Sequence, residues 1–93
     1  MDFRVVELTS ASKVKVRGAQ AVVIVPSNEL IETGDDEIGF LEGKFTDHQR
    51  GIYMQGGIID PGWSGHITVE LLIHGECNIE VGQHIAHAVI LKK

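Results

Sequence analysis

Apolar and polar residues alternate along much of the chain with a period of two. Val14 and Val16 alternate with Lys13, Lys15 and Arg17, the pattern of a half-buried strand. Ala21 to Val25 is an unbroken apolar run, which predicts a buried strand that Pro26 ends. The longest alternation sets Ile67, Val69, Leu71 and Ile73 against His66, Thr68, Glu70 and His74. Ile79 and Val81 predict a short strand, and Ile85 to Leu91 a closing one. Turn signals separate these runs at Pro26-Ser-Asn28, Gly34-Asp-Asp36, Gly56-Gly57, Asp60-Pro-Gly62, Gly75 and Gly82. Eleven glycines among many short strands point to an all-β jelly roll or barrel. One short helix is expected around Asn28 to Glu32.

Composition narrows the function more than the fold. The sequence of 93 residues is read as a single domain, 1–93, small enough to gain stability from oligomerisation. At 43% hydrophobic and 23% charged it belongs with globular chains rather than disordered ones. A net charge of -5 argues against a nucleic-acid partner, which needs clustered Lys and Arg. No apolar run has membrane-spanning length and no signal-peptide pattern opens the chain, so neither membrane nor secretion is expected. The one cysteine, Cys77, fits a reducing compartment, and the expected location is cytoplasmic.

The chemistry is concentrated in Gly57-Ile-Ile-Asp-Pro-Gly-Trp-Ser-Gly-His-Ile-Thr-Val-Glu70. Asp60-Pro61-Gly62 reads as a turn, because Asp favours its first position, Pro pre-sets φ and Gly accepts a positive φ. A carboxylate, the aromatic face of Trp63 and a tight glycine-rich loop suit a pocket for a sugar and a base. A plain hairpin with a packed Trp carries the same pattern.

The run resembles the Gly-x-Ile-Asp-Pro-Gly-Trp-x-Gly-x-x-Thr-Leu-Glu signature of the dCTP deaminases. These belong to the trimeric dUTPase superfamily, which hydrolyses or deaminates pyrimidine deoxynucleoside triphosphates. The resemblance extends from about Ala21 to the C-terminus. Gly39-Phe-Leu-Glu-Gly-Lys44-Phe45-Thr46 falls on the family's Gly-Phe-Leu-x-Gly-Arg-Ser-Ser, and Gly82-Gln-His-Ile85-Ala-His87 on its Gly-x-x-Ile-x-Gln. It implies a distorted jelly roll of the dUTPase-like β-clip type, assembled as a homotrimer. Glu70 matches the general acid/base of the deaminases. Asp60 matches the aspartate that positions water in the dUTPase branch, and Trp63 lies where that branch has Tyr. By the same resemblance, backbone groups of Tyr53 to Ile59 read the pyrimidine. Lys44, Thr46 and Arg50 hold the phosphates, and magnesium arrives through those phosphates.

The phosphate loop departs from the family pattern. Lys44 keeps the charge of the family Arg but loses its bidentate fork. Phe45 removes a hydroxyl, and Gln49 stands in the place of a second Arg, with Arg50 beside it. His87 replaces the Gln of the closing strand. The sequence stops at Lys93, so the family's closing tail is expected to be lacking, and the N-terminal portion is short. These changes weaken charge stabilisation of a triphosphate. The expected function is therefore dCTP or dUTP binding with weak or absent hydrolysis or deamination. The alternative is a non-catalytic trimeric scaffold, an interaction or assembly module on the same fold.

His74-x-x-Cys77 and His84-x-x-His87 have metal-ligand spacing. Residues three apart on a strand point to opposite faces, so each pair would need a turn. No metal site is expected from them.

Overall fold

The computed structural model describes residues 2–18, 20–43 and 52–93. Among the described residues nine strands follow one another: β1 (Asp2–Thr9), β2 (Val14–Val16), β3 (Ala21–Glu32), β4 (Glu37–Gly43), β5 (Ile52–Met54), β6 (Ile58–Ile59), β7 (Ser64–Ile73), β8 (Cys77–Ile79) and β9 (His84–Lys92). They form three antiparallel sheets, ordered β1-β9-β4-β6, β3-β7-β5 and β2-β8. Among the described residues there is no helix. The all-β jelly roll expected from the glycine-punctuated alternation is the architecture found.

The core follows from alternation on the two long strands. Ile67, Val69, Leu71 and Ile73 of β7 all turn inward and are buried. Ala86, Ala88 and Ile90 do the same from β9, with Leu8 of β1 and Val25 and Ile31 of β3 between them. Two alanines opposite branched side chains let the layers interdigitate at interior density. Each fully buried Leu, Ile or Val contributes about 1.5–3 kcal/mol.

Several details correct the sequence reading. Pro26 does not end a strand. β3 continues to Glu32, and Pro26 pairs with Thr68 within it. β3 is an edge strand of its sheet, so the missing proline N–H leaves no ladder bond unmade. The run from Ala21 to Val25 is not buried on both faces, because Val22 and Ile24 are 61% and 64% exposed. Val81 lies beyond β8 and is exposed. The pattern gives no sign of β1, whose inward contribution is almost confined to Leu8. An eight-residue register with β9 holds it.

The expected helix at 28–32 is replaced by a bulge. Pro26 pairs with Thr68 and Leu30 with His66, so Ser27, Asn28 and Glu29 stand opposite Ile67 alone. The surplus residues reach across to β1 instead of coiling. The Asn28 side-chain amide donates to the Ser10 carbonyl at 2.8 Å, and Ser27 bridges to Ser10. The Glu29 carboxylate accepts from both the Thr9 amide and the Thr9 hydroxyl, each at 2.6 Å. Asn, Asp and Ser side chains that bond nearby backbone compete with helix formation in the same way.

Burial alone would raise the Glu29 carboxyl. The hydrogen bonds from Thr9 and from its own backbone, helped by the charge of His84, outweigh that and hold it below its ordinary 4.5. A carboxyl lowered in the folded state stabilises the fold above its unfolded pKa. That stabilisation disappears as pH falls through the folded value. Glu29→Gln is expected to cost about 1–2 kcal/mol at pH 7. In urea denaturation the gap to wild type should close when the measurement is repeated near pH 3; a gap that persists there contradicts the clamp.

Candidate functional site

The turn at Asp60-Pro61-Gly62 carries the chain from β6 in one sheet to β7 in another and is clipped by the segment that follows β3. The buried Thr33 hydroxyl donates to the Asp60 carbonyl at 2.7 Å and accepts from the Trp63 amide at 2.9 Å. The Thr33 amide donates to the Trp63 carbonyl at 2.9 Å, and the Gly62 amide to the Gly34 carbonyl at 3.1 Å. The Trp63 amide also lies 3.3 Å from the Asp60 carbonyl, closing the turn itself. Gly62 has φ of 74°, a conformation open to glycine and costly for other residues.

Behind the turn, Gly39 of β4 pairs with Ile59 of β6. A Cβ at Gly39 would come within 2.9 Å of the Ile59 Cβ, so only glycine lets the two strands approach this closely. Ile59 is buried, and its side chain serves packing. Only its backbone remains for the ligand role that the resemblance implies.

A hollow of ≈ 280 Å³ opens beside the turn. Its walls bring together Ile59, Asp60 and Trp63 with Leu41, Gly57, Ile58, His66, Ile67 and Thr68. Trp63 is 42% exposed, and its Nε1–H reaches the Gly65 carbonyl at 3.4 Å. Most of the lining is apolar or backbone, with a few convergent polar side chains, the usual make-up of a small-ligand site.

Glu70 is not part of this lining. It lies on the outer face of β7, in line with His66 and Thr68, and pairs with Ile24. Its carbonyl accepts from the Gln55 amide at 3.0 Å. Two residues along a strand separate it from Thr68 by about 7 Å. Lys44, Thr46 and Arg50, assigned to the phosphates, lie outside the described residues, as do Phe45 and Gln49.

The sequence reading missed Thr33, which is 27 residues from Asp60 and belongs to no motif. It also left His66 and Thr68 unassigned, although their alternation with Glu70 places all three on one face. The His/Cys spacing does not become a cluster. Cys77 is buried against the core and pairs with Val16, while His74 meets the Tyr53 ring edge-on at 6.0 Å. His87 Nε2 lies 2.9 Å from the Glu42 carboxylate. Among the described residues no group of three or more His, Cys, Asp or Glu is placed to hold a metal. Among the same residues no helix is long and apolar enough to cross a membrane.

A family model described as dCTP deaminase-like matches residues 3–92. A dUMP-forming dCTP deaminase of Salinispora tropica is 39% identical over 74 residues, covering 70% of this chain and 38% of that protein. The Pol polyprotein of equine infectious anemia virus is 34% identical over 71 residues, covering 74% of this chain and 6% of the polyprotein. The chain thus spans well under half the length of these curated relatives. Among solved structures, native EIAV dUTPase superposes with a TM-score of 0.75 at 26% identity, covering 92% of this chain and 72% of that one.

Replacing Thr33 by Val keeps its shape and deletes the hydroxyl that clips the turn. The expected cost is about 1–3 kcal/mol from polar groups left unpaired. Because Trp63 is the only tryptophan, its fluorescence reports the turn directly. In Thr33→Val its emission should shift to the red and become more accessible to acrylamide. Unchanged emission and stability would show that the clip does not hold the loop.

Proposed function

Since the chain belongs to the dCTP deaminase-like family, within the dUTPase/dCTP deaminase superfamily, we propose that it binds pyrimidine deoxynucleotides, dCTP or dUTP, in the hollow beside Asp60 and Trp63. The observation that carries this reading is the clipped turn. Thr33 fixes the backbone on both sides of Asp60-Pro61-Gly62, so the carboxylate and the indole project from an anchored frame. Preorganisation of this kind lowers the entropy lost on binding. Trp63 offers a face for a ring or sugar, and Asp60 an acceptor for a hydroxyl or a water.

In this reading Glu70 is the proton carrier of a hydrolytic deamination, in which water adds to the pyrimidine C4 and ammonia leaves. By the family resemblance, the charge of Lys44 and Arg50 and the hydroxyl of Thr46 would serve the phosphates. Magnesium belongs to the reading as the triphosphate's counter-ion, held by phosphate oxygens and water rather than by a protein cage. Lys44-Phe45-Thr46 and Gln49 in place of the family's Arg and hydroxyls reduce charge stabilisation, so turnover is slow or nil. The same substitutions favour the second reading, a trimeric scaffold that keeps the fold without the chemistry.

A homotrimer completes the proposal. Val22, Ile24 and Leu30 are exposed on the β3-β7-β5 sheet, and Phe3, Val5, Phe40 and Ile58 on the four-stranded one. Apolar surface gathered on two sheet faces of so small a chain is best covered by further copies.

Light scattering after size exclusion should report three times the 10.2 kDa chain mass, and a monomer at micromolar concentration would contradict the assembly. Calorimetric titration with magnesium present should rank dCTP and dUTP above ATP; tighter ATP binding refutes the pocket assignment. Incubation with dCTP should release ammonia slowly, below about 1 per second. Glu70→Gln should abolish what activity there is while leaving binding intact.

A further inference from the structure

His66 is held in a way that the nucleotide reading does not use. Its Nδ1 lies 3.0 Å from the Ser27 carbonyl oxygen. A carbonyl only accepts, so Nδ1 carries the proton and the neutral ring presents Nε2 as a bare lone pair. The partner carbonyl comes from the β3 bulge, where three residues oppose Ile67 alone. Ser27 is itself buried and fixed, its hydroxyl accepting from the Ile67 amide at 3.0 Å and donating to the Glu29 carbonyl at 2.9 Å. Bulges beside functional sites re-aim side chains in this manner. The ring so oriented lines the hollow with Asp60, Trp63 and Thr68.

We infer that His66 is a specificity-determining residue of this hollow, its Nε2 accepting a hydrogen bond from the exocyclic amine of a cytosine nucleotide and disfavouring uracil. The inference rests on the nucleotide-binding reading above and adds the choice between bases. Among the described polar side chains of the hollow, the Trp63 Nε1–H is turned to the Gly65 carbonyl, the Asp60 carboxylate and His66 Nε2 both accept, and the Thr68 hydroxyl adapts. Cytosine brings N–H donors to such a wall. Uracil brings a carbonyl oxygen in the same place, leaving two acceptors face to face with no proton between them.

The test compares dCTP and dUTP affinities, by calorimetry at pH 8, for the wild type and for His66→Gln. The Gln amide turns either its oxygen or its NH₂ toward the ligand. Wild type should prefer dCTP by about tenfold, the worth of one hydrogen bond. In His66→Gln the preference should fall to about twofold or less, chiefly through tighter dUTP binding. Equal wild-type affinities, or a preference that survives in His66→Gln, overturn the inference and leave nucleotide binding standing. Failure of wild type to bind either nucleotide overturns both. Imidazole ¹⁵N shifts of the ligand-free protein at pH 8 supply an independent readout: an Nδ1–H tautomer at His66 is expected, and an Nε2–H tautomer rules the role out.

Discussion

The register between β3 and β7 governs the molecule, and the interruption in it matters as much as the register itself. From Ala21 opposite Ile73 to Pro26 opposite Thr68, the ladder sets which β7 side chains enter the core. Beyond the surplus of Ser27, Asn28 and Glu29 it resumes with Leu30 opposite His66 and ends with Glu32 opposite Ser64. A ladder slipped by one residue would turn Ile67, Val69, Leu71 and Ile73 outward, so core burial locks the pairing. The bulge absorbs the extra length and spends its polar groups on Thr9 and Ser10. Thr33 and Gly34, immediately after β3, are thereby delivered to the Asp60 turn. One strand thus both sets the β7 register and positions the Thr33 clip on the turn.

The hollow itself is drawn from distant parts of the chain. Leu41 comes from β4, Ile58 and Ile59 from β6, Asp60 and Trp63 from the turn, and His66 and Thr68 from β7. Glu70 stands further along the same β7 face, a strand step removed from the cavity. The geometry therefore sets the Glu70 carboxylate apart from the hollow's walls.

Alternation made β7 and β9 legible, because each buries one face completely and the period of two survives in the residues. The Asp60-Pro61-Gly62 turn was legible for the same kind of reason, since each residue states its backbone preference. What escaped was decided at long range. β1 has few inward residues, so its membership comes from β9 rather than from its own pattern. Asn28 to Glu32 has a plausible local helix signal that tertiary hydrogen bonds to Thr9 and Ser10 override. Thr33 carries no signal, because its value lies in a turn folded against it from 27 residues away. Ile59, Asp60 and Trp63 line one hollow because a single turn carries all three, whereas Glu70, from the same motif, stands outside it.

Pro26 has a consequence for colloidal behaviour. β3 is a twelve-residue strand at the edge of its sheet, with Val22 and Ile24 in solvent. A long, flat, apolar edge of this kind is a template onto which strands of other molecules add without limit. Proline removes an N–H from the middle of that edge, and the bulge directly after it bends the remainder and ties its polar groups inward. Fibrillar growth by strand addition therefore meets a gap at Pro26. The stickiness of this region is confined to its face, where a contact would bury side chains instead of extending a backbone ladder.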